Sequence, residues 1–353
     1  MNRLLLAAMM IATTHVDAAT PEGPVRIATK PFALLPADVR HPEALAVDAA
    51  RNELYVATFD ARTPESARNN VLLRYSADGR LVARRAFGAT PLTGIAVAGG
   101  DVWVLNFGAS TLQRFAADFD ANTPVRDVVK FSTLEPPAPT ARRIDNPDGS
   151  QDVVEYGSNG FPAPNGLVFD GDGNAYVSDS FQGAILRIDD ALRCDPCSAR
   201  VVSRDALLGT AGALPFGANG MAFDASGKQL YVNNAGDGRL LRVDLADGRA
   251  TVVADGLYGA DGLVRHGDLY WVAANQIDTV IGVDAAGRVR ALAGRFDGIG
   301  ADGAPRGLLF PASVAVLGRR MIVANLALPL TPAAGDEWEE RVTRWNLVQF
   351  ELP

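Results

Sequence analysis

Pro164-Asn165-Gly166-Leu167-Val168-Phe169 recurs, with small changes, as Pro42-Glu43-Ala44-Leu45-Ala46-Val47, Ala218-Asn219-Gly220-Met221-Ala222-Phe223 and Ala260-Asp261-Gly262-Leu263-Val264. Each copy places an oxygen-bearing side chain at the head of an apolar run: Glu43, Asn165, Asn219 and Asp261. Each is followed by a second apolar run carrying a tyrosine: Tyr55, Tyr176, Tyr231 and Tyr270. Runs this short, rich in β-branched and aromatic residues and bounded by Gly and Asx, read as strands rather than helices.

Two further heads, Thr93 and Ala312, complete the series Glu43, Thr93, Asn165, Asn219, Asp261 and Ala312. The spacing is near the ~40–50 residues of a propeller blade, except for one longer interval between Thr93 and Asn165. A third strand recurs as Leu73-Arg74-Tyr75, Gln113-Arg114-Phe115, Leu186-Arg187-Ile188, Leu241-Arg242-Val243 and Thr343-Arg344-Trp345, with Ile281-Gly282-Val283 in unit five. Turns such as Asp170-Gly171-Asp172-Gly173-Asn174 lie between first and second strands, where Asx and Gly favour tight reversal. The Asp170 turn is not an EF-hand, because it joins strands and lacks the Glu at loop position twelve.

The fold class predicted is therefore all-β: one six-bladed β-propeller with four-stranded blades over residues 19–353. Val25-Arg26-Ile27-Ala28 is expected to close the ring as the outer strand of the last blade, which removes an open edge. The long interval, residues 132–160, is expected to be a lid loop, since structureless insertions of this size are usually functional or disordered.

The first 18 residues read as a secretory signal peptide: Arg3, then the apolar Leu4 to Ala12, then Val16-Asp17-Ala18. An N-terminal strand is the alternative. The apolar part is about half the ~20 residues of a membrane span, so the expected location is periplasmic or secreted, with no membrane span. The two cysteines, Cys194 and Cys197, would then form a local disulfide. A redox pair would need a thiolate of lowered pKa, usually at a helix N-terminus, whereas this pair sits between strands. The net charge of −8 excludes nucleic acid as a partner.

Six heads at one repeat position converge on the propeller axis, so Glu43, Asn165, Asn219 and Asp261 form a candidate metal ring. Two carboxylates and two amide oxygens suit a hard cation, Ca²⁺ before Mg²⁺ or Mn²⁺. The competing reading is that Asn-Gly and Asp-Gly are ordinary turn dipeptides. Asp261 is the candidate catalytic residue, as base or nucleophile, because a short carboxylate can hold metal with one oxygen and aim the other. Phe59, Phe107 and Phe181, with Gln276 and Leu326, are expected around an apolar entrance that takes a small molecule. His41 is either a proton shuttle or a loop residue. His266 is expected in an exposed turn. Asp179 and Asn234 either brace the ring or cap their loops.

These units, with Glu43, Asn165, Asn219 and Asp261 at strand heads, resemble the senescence marker protein/gluconolactonase/luciferin-regenerating-enzyme-like family and the related paraoxonases and diisopropyl fluorophosphatases. The resemblance covers roughly residues 25–353. It implies a divalent metal at the mouth of a central tunnel, held by those four residues, and hydrolysis of a lactone or related ester with Asp261 as base or nucleophile. The apolar rim points to an apolar lactone rather than a free sugar lactone. The sequence departs from the family at Ala44, where many sugar lactonases have Gly. It also resembles NHL repeats around Gly294 to Gly303 and Phe310-Pro311, which implies the alternative of a propeller that binds without catalysis.

Overall fold

The computed structural model describes residues 23–136, 141–155, 161–212, 214–331 and 335–353. Six sheets are arranged so that their first strands are neighbours in a closed ring, blade one meeting blade six. Those first strands are Pro42–Asp48, Leu92–Ala98, Pro164–Phe169, Ala218–Phe223, Ala260–His266 and Pro311–Leu317. The first three strands of each blade follow one another in chain order, antiparallel and outward. The described residues contain no α-helix, and no helix among them is long and apolar enough to cross a membrane.

The repeat's aromatics pack between blades rather than into the tunnel. Tyr231 stacks on Tyr270 at 3.8 Å, and Tyr55 donates its hydroxyl to the Ala117 carbonyl at 2.8 Å. The third-strand arginines lie over aromatic faces, with Arg114 5.0 Å from Trp103 and Arg187 5.5 Å from Tyr176. Each buried ring removes ~150–250 Å² from water, so these seams, repeated around the axis, hold the blades together.

Closure differs from the sequence expectation. Val25–Ile27 pairs parallel with Val289–Ala293 and so extends blade five. Lys30–Leu34 instead supplies the outer strand of blade six, antiparallel to Asn346–Glu351. The chain thus covers the edge of one blade and then crosses to complete the next. Thr343-Arg344-Trp345 is not the third strand of blade six; that strand is Asn346–Glu351. Residues 343 and 344 instead donate their amides to the Gly303 carbonyl at 3.0 and 3.1 Å. An apolar-Arg-aromatic triplet adjoining a strand is indistinguishable from one inside it until pairing is known.

The insertion carries a separate hairpin, Ala141–Asp145 with Gln151–Glu155. Positions 137–140 and 156–160 of it, and residues 1–18, expected to be a signal peptide, lie outside the described residues. Cys194 and Cys197 are joined by a disulfide in the connection between Ala184–Ile188 and Ala199–Ser203.

Candidate metal and active site

In all six blades the first strand holds one more residue than its partner at the repeat head. Pro164 pairs with Asp179 and Leu167 with Val177; Ala218 pairs with Asn234 and Met221 with Val232. The same slip occurs at Pro42/Ala44, Leu92/Ile95, Ala260/Leu263 and Pro311/Ser313. An extra residue of this kind breaks the two-residue alternation and re-aims a side chain. Here it leaves the heads Glu43, Thr93, Asn165, Asn219, Asp261 and Ala312 all lining one axial cavity of about 100 Å³.

The glycine that follows four of the six heads has a specific reason. A Cβ on Gly94, Gly166 or Gly220 would lie 2.3, 2.4 or 2.4 Å from the carbonyl oxygen of Asn165, Asn219 or Asp261, the head of the next blade. A Cβ on Gly262 would meet the Ala312 carbonyl at 2.6 Å. Blades one and six, with Ala44 and Ser313, skip a single residue in their pairing where the others skip two, so their backbones take a different path past the neighbour. The Asn-Gly and Asp-Gly pairs are thus close-approach sites inside strands, not turns. Neighbouring blades are also clasped by side chains. Ser178 Oγ donates to the Asn219 carbonyl at 2.7 Å, Asn233 Nδ2 to the Asp261 carbonyl at 2.7 Å, and Thr93 Oγ1 to the Pro164 carbonyl at 2.7 Å.

Above the ring lies a smaller chamber of about 60 Å³. Glu43, Asn165, Asn219 and Asp261 form its polar floor, and its walls include Phe59, Leu214, Phe216, Phe310, Leu326 and Leu330. The expected entrance residues divide accordingly. Phe59 and Leu326 line the chamber, whereas Phe107 packs against Phe59, Phe181 and Phe216 at 5.3, 6.0 and 6.5 Å as part of the layer around it. Gln276 reaches the site through Asn275, to whose Oδ1 its Nε2 donates at 3.0 Å.

All four heads are buried, Glu43 at 9% exposure being the most open. No Lys, Arg or His is among the described residues lining either cavity. Burial, and then the Asp261 charge, push the Glu43 carboxyl well above its usual range, and its Oε2 has no hydrogen-bond partner. Burial pushes Asp261 up to about 7, against hydrogen bonds from Asn275 and Asn219 that favour its charged form. Two desolvated carboxylates without a cation are costly. Among the described residues no three His, Cys, Asp or Glu gather to hold a metal ion, so any metal here must also use the Asn amide oxygens. Two carboxylates and two neutral amides match the charge and hardness of Ca²⁺.

A carboxyl whose folded pKa exceeds its unfolded value stabilises the fold while protonated. That contribution is complete below pH ~4 and is lost as pH rises through about 7, the folded value of Asp261. The melting temperature of chelator-treated protein is therefore expected to fall between about pH 5 and pH 8. Added Ca²⁺, which binds the ionised carboxylates, should restore it most at the upper end. A calcium effect that is flat across this interval would contradict cation binding at these two residues.

The remaining candidates sit elsewhere. His41 is buried in a left-handed backbone conformation, edge-on to Trp345 at 4.8 Å, with its Nδ1 3.0 Å from the Leu326 carbonyl. A carbonyl only accepts, so Nδ1 carries the proton; the residue braces the 326–330 segment and does not line the chamber. His266 ends the first strand of blade five in an exposed turn. Asp179 accepts from the amides of Ala163, Phe181 and Gln182, and Asn234 Nδ2 donates to the Leu207 and Gly209 carbonyls; both order loops beside the ring. Sequence reasoning missed Asn275, whose Nδ2 donates to Asp261 Oδ2 at 3.1 Å. The available signal was its place just after the second strand of blade five.

No protein-family model and no curated protein sequence matches the chain. Among solved structures it is similar to a luciferin-regenerating enzyme, with 15% identity over 89% of this chain and 93% of that one and a TM-score of 0.57. It is also similar to a calcium-binding protein, regucalcin, from Agrobacterium tumefaciens (14% identity, 93% and 95% coverage, TM-score 0.57). A gluconolactonase from Xanthomonas campestris aligns at 15% identity over 95% and 99% of the two chains, with a TM-score of 0.52. At these identities the likeness establishes a shared architecture: the chain has the propeller fold of luciferin-regenerating enzyme, regucalcin and gluconolactonase.

Proposed function

We propose that the protein is a Ca²⁺-dependent hydrolase of a lactone or related ester, with the cation held by Glu43, Asn165, Asn219 and Asp261. One observation carries the reading: two buried carboxylates and two amides share a cavity floor that has no cationic side chain. The fold it shares with gluconolactonase and with calcium-binding regucalcin is consistent with that chemistry.

A bound hard cation supplies Lewis-acid polarisation of the substrate carbonyl. The chain's own residues supply position and proton transfer. As base, Asp261 takes a proton from water while the hydroxyl adds to the acyl carbon. The ring C–O bond then breaks and the proton passes to the departing oxygen. As nucleophile, Asp261 adds to the acyl carbon, the ring C–O bond breaks and the departing oxygen takes a proton from water, and the hydroxide so formed cleaves the anhydride and returns the carboxylate. Either way the apolar walls keep bulk water from the carboxylate, which strengthens its interactions with the reacting groups.

Those walls also favour an apolar lactone. A sugar lactone would bury several hydroxyls against Phe and Leu side chains, and each unpaired hydroxyl costs ~1–3 kcal/mol. The chamber, about 60 Å³, is smaller than the ~300–1,000 Å³ of typical ligand pockets, which favours a compact substrate. The leader and the Cys194–Cys197 disulfide support action in a periplasmic or extracellular setting.

A panel of lactones and esters assayed with Ca²⁺ and with chelator tests the reading. An alkyl-substituted lactone should exceed gluconolactone in kcat/KM by ~100-fold, the equivalent of two unpaired hydroxyls. Chelation should abolish turnover and Ca²⁺ restore it. Preference for gluconolactone would sink the apolar specificity, and absence of any calcium-dependent turnover would sink the hydrolase.

A further inference from the structure

We propose that Asn275 is a positioning residue that holds Oδ2 of Asp261 off the cation and aims it at the substrate, leaving Oδ1 as the metal-binding oxygen; this rests on the role given to Asp261 above. Each blade has a residue immediately after its second strand, at the chamber end of the ring, and four of the six line the chamber. In the other blades it is Phe59, Phe107, Ser180, Ala235 and Leu326; only blade five has an amide there. Asn275 is 5% exposed and lines the chamber.

Its orientation is over-determined. Nδ2 of Asn275, an amide nitrogen that can only donate, lies 3.1 Å from Asp261 Oδ2. Its Oδ1 must then accept, and Gln276 Nε2 donates to it at 3.0 Å. The backbone amides of Asn275 and Gln276 donate to the carbonyls of Gly259 and Tyr258 at 3.0 and 3.3 Å. Gly259 has φ +68°, and a Cβ there would lie 1.9 Å from Asn275 Oδ1 and 2.8 Å from Gln276 Cγ. The cradle therefore exists only because residue 259 has no side chain. A capping Asn bonds to backbone; the side-chain bonds of Asn275 run to Asp261 and Gln276 instead.

The consequence concerns denticity. With Oδ2 held, Asp261 offers a cation one oxygen. Without Asn275 both oxygens are free to chelate, which binds metal at least as well but removes the oxygen that does chemistry. Asn275→Ala is therefore expected to lower kcat by about 30–100-fold, the scale of lost orientation at a reacting group. KM should change little and the Ca²⁺ Kd by titration calorimetry should stay the same or tighten. Gln276→Leu, which touches neither metal nor substrate, should lower kcat several-fold in the same pattern, and carries the test if Asn275→Ala does not fold. Unchanged kcat in both variants, or a tenfold weaker Ca²⁺ Kd in Asn275→Ala, would overturn the proposal. A high-resolution crystal structure of the Ca²⁺-loaded wild type decides the matter without reference to turnover. One Asp261 oxygen on the cation and the other on Asn275 supports it; both oxygens on the cation, or Asn275 turned away, overturns it. If the wild type binds Ca²⁺ but hydrolyses nothing, the hydrolase reading fails while this structure still judges Asn275.

Discussion

Asp261→Asn is expected to weaken Ca²⁺ binding by about 100-fold or more, since ligand charge count sets calcium affinity, and to abolish turnover while sparing the fold. The substitution is nearly isosteric, and an amide oxygen at this position can still accept from Asn275. What it removes is one of two buried negative charges. In the absence of metal that charge is a liability, because burial raises the pKa of Asp261 to about 7 and its charge raises Glu43 further. Metal-free Asp261→Asn should therefore melt a few degrees above metal-free wild type at pH 8, with about 1–2 °C corresponding to each kcal/mol in a domain of more than 300 residues. At pH 5, where the wild-type carboxyl is largely protonated, the difference should shrink. Calorimetry with and without Ca²⁺, beside a lactonase assay, checks all three effects. A variant that still binds Ca²⁺ with wild-type affinity would show that Asp261 is no ligand. A collapse in melting temperature would show that its role is structural.

Gly220→Ala should be among the most damaging single-methyl changes in the chain. The new Cβ would sit 2.4 Å from the Asp261 carbonyl and 2.5 Å from Leu263 N, with Gly262 C at 2.8 Å. All are backbone atoms of the adjacent blade, so no rotamer change relieves the contact. Blades four and five must separate, which also breaks the Asn233 bond to the Asp261 carbonyl. A cost of about 3–5 kcal/mol is expected, in the range reserved for backbone clash and lost buried hydrogen bonds. The melting temperature should drop by about 4–7 °C. Ca²⁺ affinity should fall as well, because Asn219 and Asp261 sit on the two strands forced apart. Gly171→Ala is the control: no atom lies within 4 Å of its would-be Cβ and its φ is not positive. Equal melting temperatures for the two variants would refute the close-approach account of the repeat's glycines.

The glycines illustrate why some of the molecule was legible in its sequence and some was not. Strand heads, tyrosines and arginines recur with the blade period, so the blade count and the four oxygen ligand candidates could be read directly. Yet Asn-Gly is the same dipeptide in a hairpin turn and in a bulged strand. Only the pairing of Pro164 with Asp179 and Leu167 with Val177 shows that this one is a bulge. Closure was misplaced for a related reason. Val25–Ile27 and Lys30–Leu34 are both short edge segments, and nothing local tells which sheet accepts either. The Phe residues were correctly placed near the mouth, but their division into chamber wall and supporting layer depends on how Phe107 meets Phe59 and Phe216.

What the sequence determined by itself is the period: six strand heads, four of them bearing a carboxylate or amide oxygen, on an axis they must share because similar units close into a ring. Periodicity is a one-dimensional property and survives in the string of residues. What only the tertiary structure decided is the electrostatic state of that ring. Glu43 and Asp261 are far apart in the chain, and their mutual repulsion and loss of water exist only once blades one and five face the same buried cavity. The cradle that holds Asp261 is likewise tertiary in origin, since Gly259 matters only because Asn275 folds back onto the space it leaves.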